Sequence, residues 1–314
     1  MKAVFLMDPI EHLNPKKDTS LALMLEAQNQ GFTCYYLSPK SISIKNHSVL
    51  FSVQKVQLSD LNKKKFYVLD PITVVLDSSA FSVLFIRLDP PFNEDYLACT
   101  WLLDYCHESL LIMNSPAGIR SSQEKLSCLQ FPKLIPDTCI TSSPDQMKAF
   151  LNGHKKCVLK PLDQFGGTGI FLLNHQDSNS DVAFQQLTQN YSKPCIIQAF
   201  VPDAKHGDKR ILLLNGEPLG AVMRKNLGSD HRHNFFAGGL PFKTDINKED
   251  LKIIYTIQSF LVKNGLYFVG IDILGDKLIE INVTSPTCLQ EISNLNKINL
   301  AKKVLEFVQL KLMR

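Results

Sequence analysis

The chain has no stretch approaching the ~20 consecutive apolar residues of a bilayer-crossing helix, which excludes a spanning segment. The opening run Met1-Lys2-Ala3-Val4-Phe5-Leu6-Met7 has the look of a short signal peptide. It stops at Asp8-Pro9 and reads instead as a first buried strand. Charge of one sign is lacking too. The 34 Lys and Arg against 30 Asp and Glu leave +4, too little to argue for nucleic acid or a membrane surface as partner. The eight cysteines contain no C-x-x-C pair and lie scattered from Cys34 to Cys288, which fits reduced thiols of a cytoplasmic protein better than a disulfide frame or a zinc site. There is no internal repeat or low-complexity tract, and no G-x-S-x-G or C-G-x-C-W element to suggest a nucleophile-triad hydrolase. What remains is an ordinary globular balance over 314 residues, enough for about two domains at roughly 150 residues each.

The first third alternates strand and helix. Residues 3–7 and 33–37 read as strands, with a helix between them that Asp18-Thr19-Ser20 can cap and Gly31 can close. Segment 40–80 is less regular: Lys63-Lys64-Lys65 reads as a solvated turn, and Pro71 breaks whatever precedes Val74-Val75-Leu76. A buried strand over 82–88, a helix over 94–105 and a strand over 110–113 complete a pattern that predicts an open parallel sheet with helices on its faces. Near residue 114 the pattern changes. A helical patch over 122–131 precedes runs with hairpin signals, including Asn215-Gly216 between two apolar segments. Residues 225–240 read as a long loop in which Phe235-Phe236 flanks Ala237-Gly238-Gly239 as a lid. His231 and His233 in it have no second pair at zinc spacing and read as solvated. Amphipathic helices are expected over 249–263 and 300–312.

The most informative stretch is Gly270-Ile271-Asp272-Ile273-Leu274-Gly275-Asp276-Lys277-Leu278-Ile279-Glu280-Ile281-Asn282, two strands around a tight turn. A three-residue loop over 275–277 would pair Asp272 with Glu280 and put isoleucines 271, 273, 279 and 281 on one face. A two-residue loop would mix acid with hydrocarbon on both faces, so the odd register is expected. Two carboxylates and the Asn282 amide oxygen then share a face, a hard-oxygen set suited to magnesium. The alternative is an ordinary solvent-exposed strand face.

Gly166-Gly167-Thr168-Gly169 lets backbone N–H groups approach an anion, although it has neither Walker A nor Rossmann spacing and a structural turn explains it as well. Lys160 and Lys125 add cations that either reach a phosphate or snorkel at an edge. Arg87, Arg210 and Arg224 adjoin strand ends and Arg232 lies in the loop. Each either pairs with a surface acid or clamps a substrate carboxylate beside a transferring phosphoryl group.

Several stretches in order along nearly the whole chain resemble the bacterial-type glutathione synthetases of the ATP-grasp superfamily. They are Met7-Asp8-Pro9, Lys17-Asp18-Thr19-Ser20, Arg87-Leu88-Asp89-Pro90-Pro91-Phe92, Leu159-Lys160-Pro161-Leu162-Asp163, Gly166-Gly167, Gly207-Asp208-Lys209-Arg210, Asn234 with Ala237-Gly238-Gly239, Phe268-Val269-Gly270-Ile271-Asp272 and Glu280-Ile281-Asn282-Val283-Thr284-Ser285-Pro286-Thr287. The resemblance is weakest over 225–236 and 40–75, and the latter is assigned no function. It implies an α/β chain with an N-terminal doubly wound (pre-ATP-grasp) domain over 1–121. An ATP-grasp domain of two α+β subdomains would follow over 122–314, the lid part over about 122–200 and the C-terminal part over about 201–314.

The activity implied is ligation of γ-glutamylcysteine and glycine at the expense of ATP, giving glutathione, ADP and phosphate, with magnesium or manganese as cofactor and ATP as co-substrate. By that resemblance Lys125, Lys160, Gly166, Gly167, Thr168 and Gly169 would hold the nucleotide phosphates. Gln198, Ala199, Phe200 and Val201 would hold adenine, and Asp208 would sit near the ribose. Asp272, Glu280 and Asn282 would hold the metal. Arg210 and Arg232 would act in catalysis, and Asp18, Ser20, Arg87, Arg210, Arg224, Asn282, Ser285 and Thr287 would bind substrate. A cytoplasmic homo-oligomer, a tetramer, is implied, with small molecules and neither nucleic acid nor membrane as partners. The alternatives are another ATP-grasp carboxylate–amine ligase and a non-catalytic ATP-binding module.

Overall fold

A strand with no polar face has to be covered on both sides. Strand β1 (Lys2–Met7) is such a strand: Ala3, Phe5 and Met7 enter one core and Val4 and Leu6 another. The computed structural model describes residues 1–63, 65–228, 233–235 and 238–313, and among these the chain forms three sheets in succession. The first holds β1, β2 (Thr33–Leu37), β3 (Ile42–Lys45), β4 (Ser48–Leu58), β5 (Tyr67–Asp77), β6 (Val83–Arg87) and β7 (Leu111–Met113). Its order is β3-β4-β2-β1-β6-β7, with β5 paired to β4.

The quartet β2-β1-β6-β7 is parallel, as the strand–helix alternation predicts. Helix α1 (Thr19–Asn29) covers one face, capped by the Asp18 carboxylate, which accepts the Leu21 N–H at 2.7 Å. Helix α2 (Glu94–Leu103) and Ile119 of α3 (Pro116–Ser121) cover the other.

Segment 40–80 corrects the expectation of irregularity. It is an antiparallel ribbon in which β4 and β5 each run 11 residues. Pro71 does not end β5, because β5 is an edge strand and the pairing jumps from Gln54–Thr73 to Val56–Leu69, which leaves Pro71 in a bulge where no N–H is demanded of it. The helical patch expected over 122–131 is only a short 3₁₀ turn over Leu126–Gln130. Its backbone serves another partner, the Ile281 N–H donating to the Glu124 carbonyl at 2.9 Å, and just past the patch the Leu278 N–H donates to the Leu134 carbonyl at 2.8 Å.

The second sheet is antiparallel, in the order β10-β9-β11-β8, from β8 (Thr138–Thr141), β9 (Lys156–Pro161), β10 (Phe171–Asn174) and β11 (Cys195–Ala199). Helices α4 (Pro144–His154) and α5 (Ser180–Leu187) close its own small core through Met147, Leu151 and Phe184.

The third runs β14-β13-β12-β15-β16, from β12 (Asp208–Leu214), β13 (Glu217–Lys225), β14 (Leu240–Lys243), β15 (Phe268–Leu274) and β16 (Lys277–Asn282). Asn215 and Gly216, both at positive φ (53° and 78°), make the expected tight turn between β12 and β13. Helix α6 (Lys248–Lys263) covers one face of this sheet. Leu212, Leu219 and Val222 on the other face join α7 (Leu289–Asn296), α8 (Leu300–Leu312) and the first sheet in one continuous core.

The β15–β16 turn is a second correction. Asp272 does oppose Glu280, but the loop is the two residues Gly275 and Asp276, and the register shifts just beyond the acid pair so that Ile273 meets Leu278. Ile279 is the bulged residue. Ile271, Ile273, Leu278 and Ile281 are buried under α6, while Ile279 faces the cavity described below. A bulge therefore reconciles the two-residue turn with a clean separation of acid from hydrocarbon, an option that counting loop residues had left out.

Asn114, directly after β7, pins the first sheet to this hairpin. Its Nδ2 donates to the carbonyls of Phe268 and Val283, both at 2.8 Å, and its Oδ1 accepts the Phe268 N–H at 2.7 Å. Asn114→Ala would strand buried backbone groups at the start of β15 and just past the end of β16. We expect a loss on the order of 3 kcal/mol in urea unfolding, and a change below about 0.5 kcal/mol would show that the pin is dispensable.

Candidate active site

The three sheets enclose a cavity of about 510 Å³. Its most ordered wall follows from strand alternation. On β12, Asp208 and Arg210 point the same way, across from Arg224 on β13 and Asp272 on β15 respectively. The result is a checkerboard of alternating charge. Arg210 grips Asp272 through Nε and through Nη2 (2.8 Å to Oδ2). Arg224 grips Asp208 through Nε and Nη2, both at 2.7 Å, and reaches Asp272 Oδ2 at 3.0 Å. All four side chains are buried or nearly so. Lys209, between them in sequence, points to the opposite face and pairs with buried Asp250 at 2.6 Å under α6.

Burial pushes the Asp272 carboxyl up, but Arg210 and Arg224 outweigh it and hold the group below the usual carboxylate range. At Asp208 burial prevails over Arg224 and the carboxyl is raised. Glu280 completes the acidic side beside Asp272, with the Lys125 ammonium at 3.9 Å. Asn282 also lines the cavity, and because its Nδ2 donates to the Gly270 carbonyl at 3.3 Å, its oxygen is the atom left to a ligand.

Opposite lie the groups of the second sheet. The Lys160 ammonium, buried, donates to Gln198 Oε1 at 2.8 Å, and Gln198 Nε2 donates to Thr138 Oγ1 at 2.8 Å. Burial draws the Lys160 ammonium down from its ordinary range, and Glu280 pushes it back. Lys125 Nζ donates to the Gln164 carbonyl at 2.5 Å, at the head of the glycine turn. Gly166 and Gly167, both at positive φ, line the cavity with Thr168. Gly169 is not in the lining: a Cβ there would meet Pro161 Cγ at 3.2 Å and Leu187 Cδ2 at 3.3 Å, so that glycine serves packing. Gln198, Ala199, Phe200 and Val201 all line the cavity, and the Lys156 ammonium stands 3.9 Å from the centroid of the Phe200 ring.

Of the residues expected at substrate, Asp18, Arg210, Arg224, Asn282, Ser285 and Thr287 line the cavity, whereas Ser20 and Arg87 lie behind its wall. Arg87, 5% exposed, donates through Nε to Ser20 Oγ and through Nη2 to the Pro286 carbonyl, each at 3.0 Å. Its guanidinium braces the 284–287 turn rather than reaching the cavity. Arg232 lies outside the described residues, as do His231, Phe236 and Ala237 of the loop, while Asn234 and Phe235 line the cavity. His233, read as solvated, is instead buried, its Nδ1 accepting the Asn226 N–H at 3.0 Å.

Sequence reasoning missed Glu124. Its Oε1 accepts from the Val283 N–H (2.9 Å), the Thr284 N–H (3.1 Å) and the Thr284 hydroxyl (2.9 Å), and so orders the turn after Asn282. Nothing in Gln123-Glu124-Lys125 marks it, because its partners are some 160 residues away.

The donor set fits a hard divalent cation. Among the described residues no three His, Cys, Asp or Glu side chains gather into a complete metal shell. Two neighbouring carboxylates and an amide oxygen on one cavity wall are what magnesium takes when substrate phosphates supply the rest. Asp272 is ionised, and a carboxylate with its two arginines retains further lone pairs.

The prokaryotic glutathione synthetase N-terminal domain matches residues 1–120, and the prokaryotic glutathione synthetase ATP-grasp domain matches residues 124–297. Relatives named glutathione synthetase include those of Rhodopseudomonas palustris (36% identical, 99% of both chains), a Nostoc species (39%, 98% of both) and Vibrio cholerae (36%, 99% of this chain and 98% of the other). Similar solved structures include a D-cycloserine synthetase, with TM-score 0.67, 12% identity and coverage of 98% of this chain and 99% of the other. An ATP-grasp ligase of Chryseobacterium gregarium in complex with ADP and a leader and core peptide gives 0.65 and 14%, over 99% and 97%. At such identities these two structures speak for the ATP-grasp fold alone.

The Glu124 carboxyl is pushed up chiefly by burial, with Glu280 adding to the effect and the Thr284 and Val283 donors opposing it. A raised folded-state value means that Glu124 favours the fold while protonated and penalises it once pH climbs above the ordinary glutamate value of about 4.3. Glu124→Gln, which keeps an oxygen acceptor, should therefore match the parent near pH 4 and grow more stable than it towards pH 8 in urea unfolding. A gap that stays constant, or opens the other way, contradicts this account.

Proposed function

Since the chain belongs to the prokaryotic glutathione synthetase family, we propose that its cavity joins γ-L-glutamyl-L-cysteine to glycine by way of an acyl phosphate. The enzyme is an ATP-dependent carboxylate–amine ligase that makes glutathione, ADP and phosphate. The observation that carries the reading is the meeting, in one cavity, of a lysine-and-glycine anion cradle with the Asp272–Glu280 pair and its arginines.

A free carboxylate does not yield to an amine in water, because oxide is too poor a leaving group. Transfer of the γ-phosphoryl group of ATP to the cysteinyl carboxylate forms a C–O–P bond and releases ADP. The glycine amine then adds to the acyl carbon, and the tetrahedral intermediate expels phosphate, leaving the amide. Phosphoryl transfer asks a protein mainly for positioning and charge neutralisation. Lys125 and Lys160 would hold the phosphates, with Gly166, Gly167 and Thr168 covering them. Gln198, Ala199, Phe200 and Val201 would flank adenine, and Asp208 would lie near the ribose. Arg210, with Arg232 from the loop, would face the reacting carboxylate, and Arg224, Asp18, Ser285 and Thr287 would orient the dipeptide.

Asp272, Glu280 and Asn282 would hold magnesium, with manganese as an alternative, and the bound ion would neutralise phosphate charge. Exclusion of water by the second sheet and the 225–240 loop would protect the activated acyl group. On this reading the chain divides at 121/122, with a lid over about 122–200 and a floor over about 201–314. In support, each sheet falls within one of these parts.

No helix among the described residues is long and apolar enough to cross a membrane, and a cytoplasmic setting belongs to the same reading. So does a tetramer, for which the exposed Val68, Ile72 and Val75 of β5 offer apolar surface. Light scattering at the mass of a single chain would remove that part.

Phosphate release should require ATP, a divalent cation, γ-glutamylcysteine and glycine together, and should stop on chelation with EDTA. Release with either organic substrate omitted would point to another ligase or an ATPase, and ATP binding with no release to a non-catalytic module. Arg210→Ala should lower kcat by on the order of 100-fold or more, and unchanged turnover would remove Arg210 from the reaction.

A further inference from the structure

One ring in the cavity wall has no task in the chemistry above: the imidazole of His233, only 8% exposed although it stands in the polar stretch over 225–240. Both of its nitrogens are engaged. Nδ1 accepts the Asn226 N–H at 3.0 Å, and Nε2 lies 2.5 Å from the Ala204 carbonyl oxygen. A backbone N–H only donates and a carbonyl oxygen only accepts, so the two partners fix the tautomer: Nδ1 is bare and Nε2 carries the proton. The ring is a neutral, directional bridge between two backbone segments.

The segments it joins matter for the site. Asn226 is the first residue past β13, and Ala204 lies in the 3₁₀ turn over Pro202–His206. That turn runs from Val201, proposed above to flank adenine, towards Asp208, proposed to lie near the ribose, and Ala204 itself lines the cavity. The residues after the ring reach another part of the wall. Asn234 and Phe235 line the cavity, and Phe235 packs against the core that joins the first and third sheets. The backbone here folds back on itself. The Gly239 N–H donates to the Asn234 carbonyl at 3.0 Å, and a Cβ at 239 would stand 1.9 Å from the His233 carbonyl oxygen. A three-residue span of wall is thus held at one end by two hydrogen bonds and at the other by apolar burial.

We infer that His233 is a positioning residue for the nucleotide: its uncharged ring ties the Asn234–Phe235 edge of the cavity to the turn over Pro202–His206, and so sets the shape of the wall beside adenine and ribose. The inference rests on the nucleotide placement proposed above. His233 has no part in the transfer itself, so its loss falls on nucleotide affinity and not on turnover.

Three replacements separate the two hydrogen bonds from the ring that makes them. His233→Phe keeps a ring of similar breadth and neither bond. His233→Asn places an acceptor near the position of Nδ1, and His233→Gln a donor near that of Nε2, so each keeps one. Calorimetric titration with MgATP alone should give a Kd about 5- to 30-fold above wild type for His233→Phe, the loss of two ordinary hydrogen bonds, with intermediate values for the other two. In turnover the KM of ATP should rise by the same factor, while kcat falls less than about threefold and the KM of γ-glutamylcysteine moves less than about twofold.

A His233→Phe protein that binds ATP as tightly as wild type overturns the assignment, because the bonds would then do nothing that bulk does not. So does an equal loss in all three variants, the mark of a ring needed for its shape alone, or a fall in kcat with nucleotide affinity unchanged. Should His233→Phe fail to fold, the Asn and Gln variants decide the matter by themselves, and wild-type affinity in both refutes it. A wild type that binds ATP but forms no glutathione would be a failure of the functional reading alone, since the calorimetric series still tests His233.

Discussion

Taking Asp208, Arg210, Arg224 and Asp272 out of water is costly for each of them, and the structure meets that cost by giving every one an opposite charge in bidentate or shared contact. The rest of the site depends on this arrangement. It comes directly from the pleat: two residues apart on β12, Asp208 and Arg210 must face the same way, and antiparallel pairing sets Arg224 and Asp272 opposite them. The two arginines hold the Asp272 carboxyl below its ordinary range although it is buried in the cavity wall. The arrangement also fixes two guanidinium groups where a carboxylate substrate and phosphoryl oxygens would meet.

A second constraint is that no single sheet contains the site. The first sheet contributes the loop over 12–18, the second the lysine and glycine cradle, and the third the charged floor. They converge because three polar side chains, two of them buried and the third, Glu124, half-buried, hold the hairpin and the turn that follows it. Asn114 pins β15 and Val283, Glu124 orders Val283 and Thr284, and Arg87 holds the Pro286 carbonyl. Helices α7 and α8 add an apolar counterpart, packing the third sheet onto the core of the first. The positions of Ser285 and Thr287 are therefore set by distant residues rather than by their own turn.

The β15–β16 hairpin shows how far pattern reading goes. The pairing of Asp272 with Glu280 was legible because apolar and polar residues alternate on both strands, and burial penalises any register that mixes them. The turn length was not legible, because a bulge at Ile279 inserts a residue without changing that alternation upstream. Pro71 shows the same limit from the other side. A proline breaks a strand only where its missing N–H is needed, and position on a sheet edge is not a property of local sequence.

What the chain order alone determined were the elements whose driving force is local: the apolar run of β1, the Asp18 cap, the Asn215-Gly216 turn, and the acid–isoleucine alternation that places Asp272 and Glu280 on one face. Tertiary structure alone decided which charged groups line the cavity and which support those that do. Arg87 and Arg210 look alike in sequence, yet one braces a turn and the other lines the cavity. Glu124 carries no local signal at all. The physical reason is that a long polar side chain is defined by its partners, and here those partners lie on other sheets, brought close only when the cores between them close.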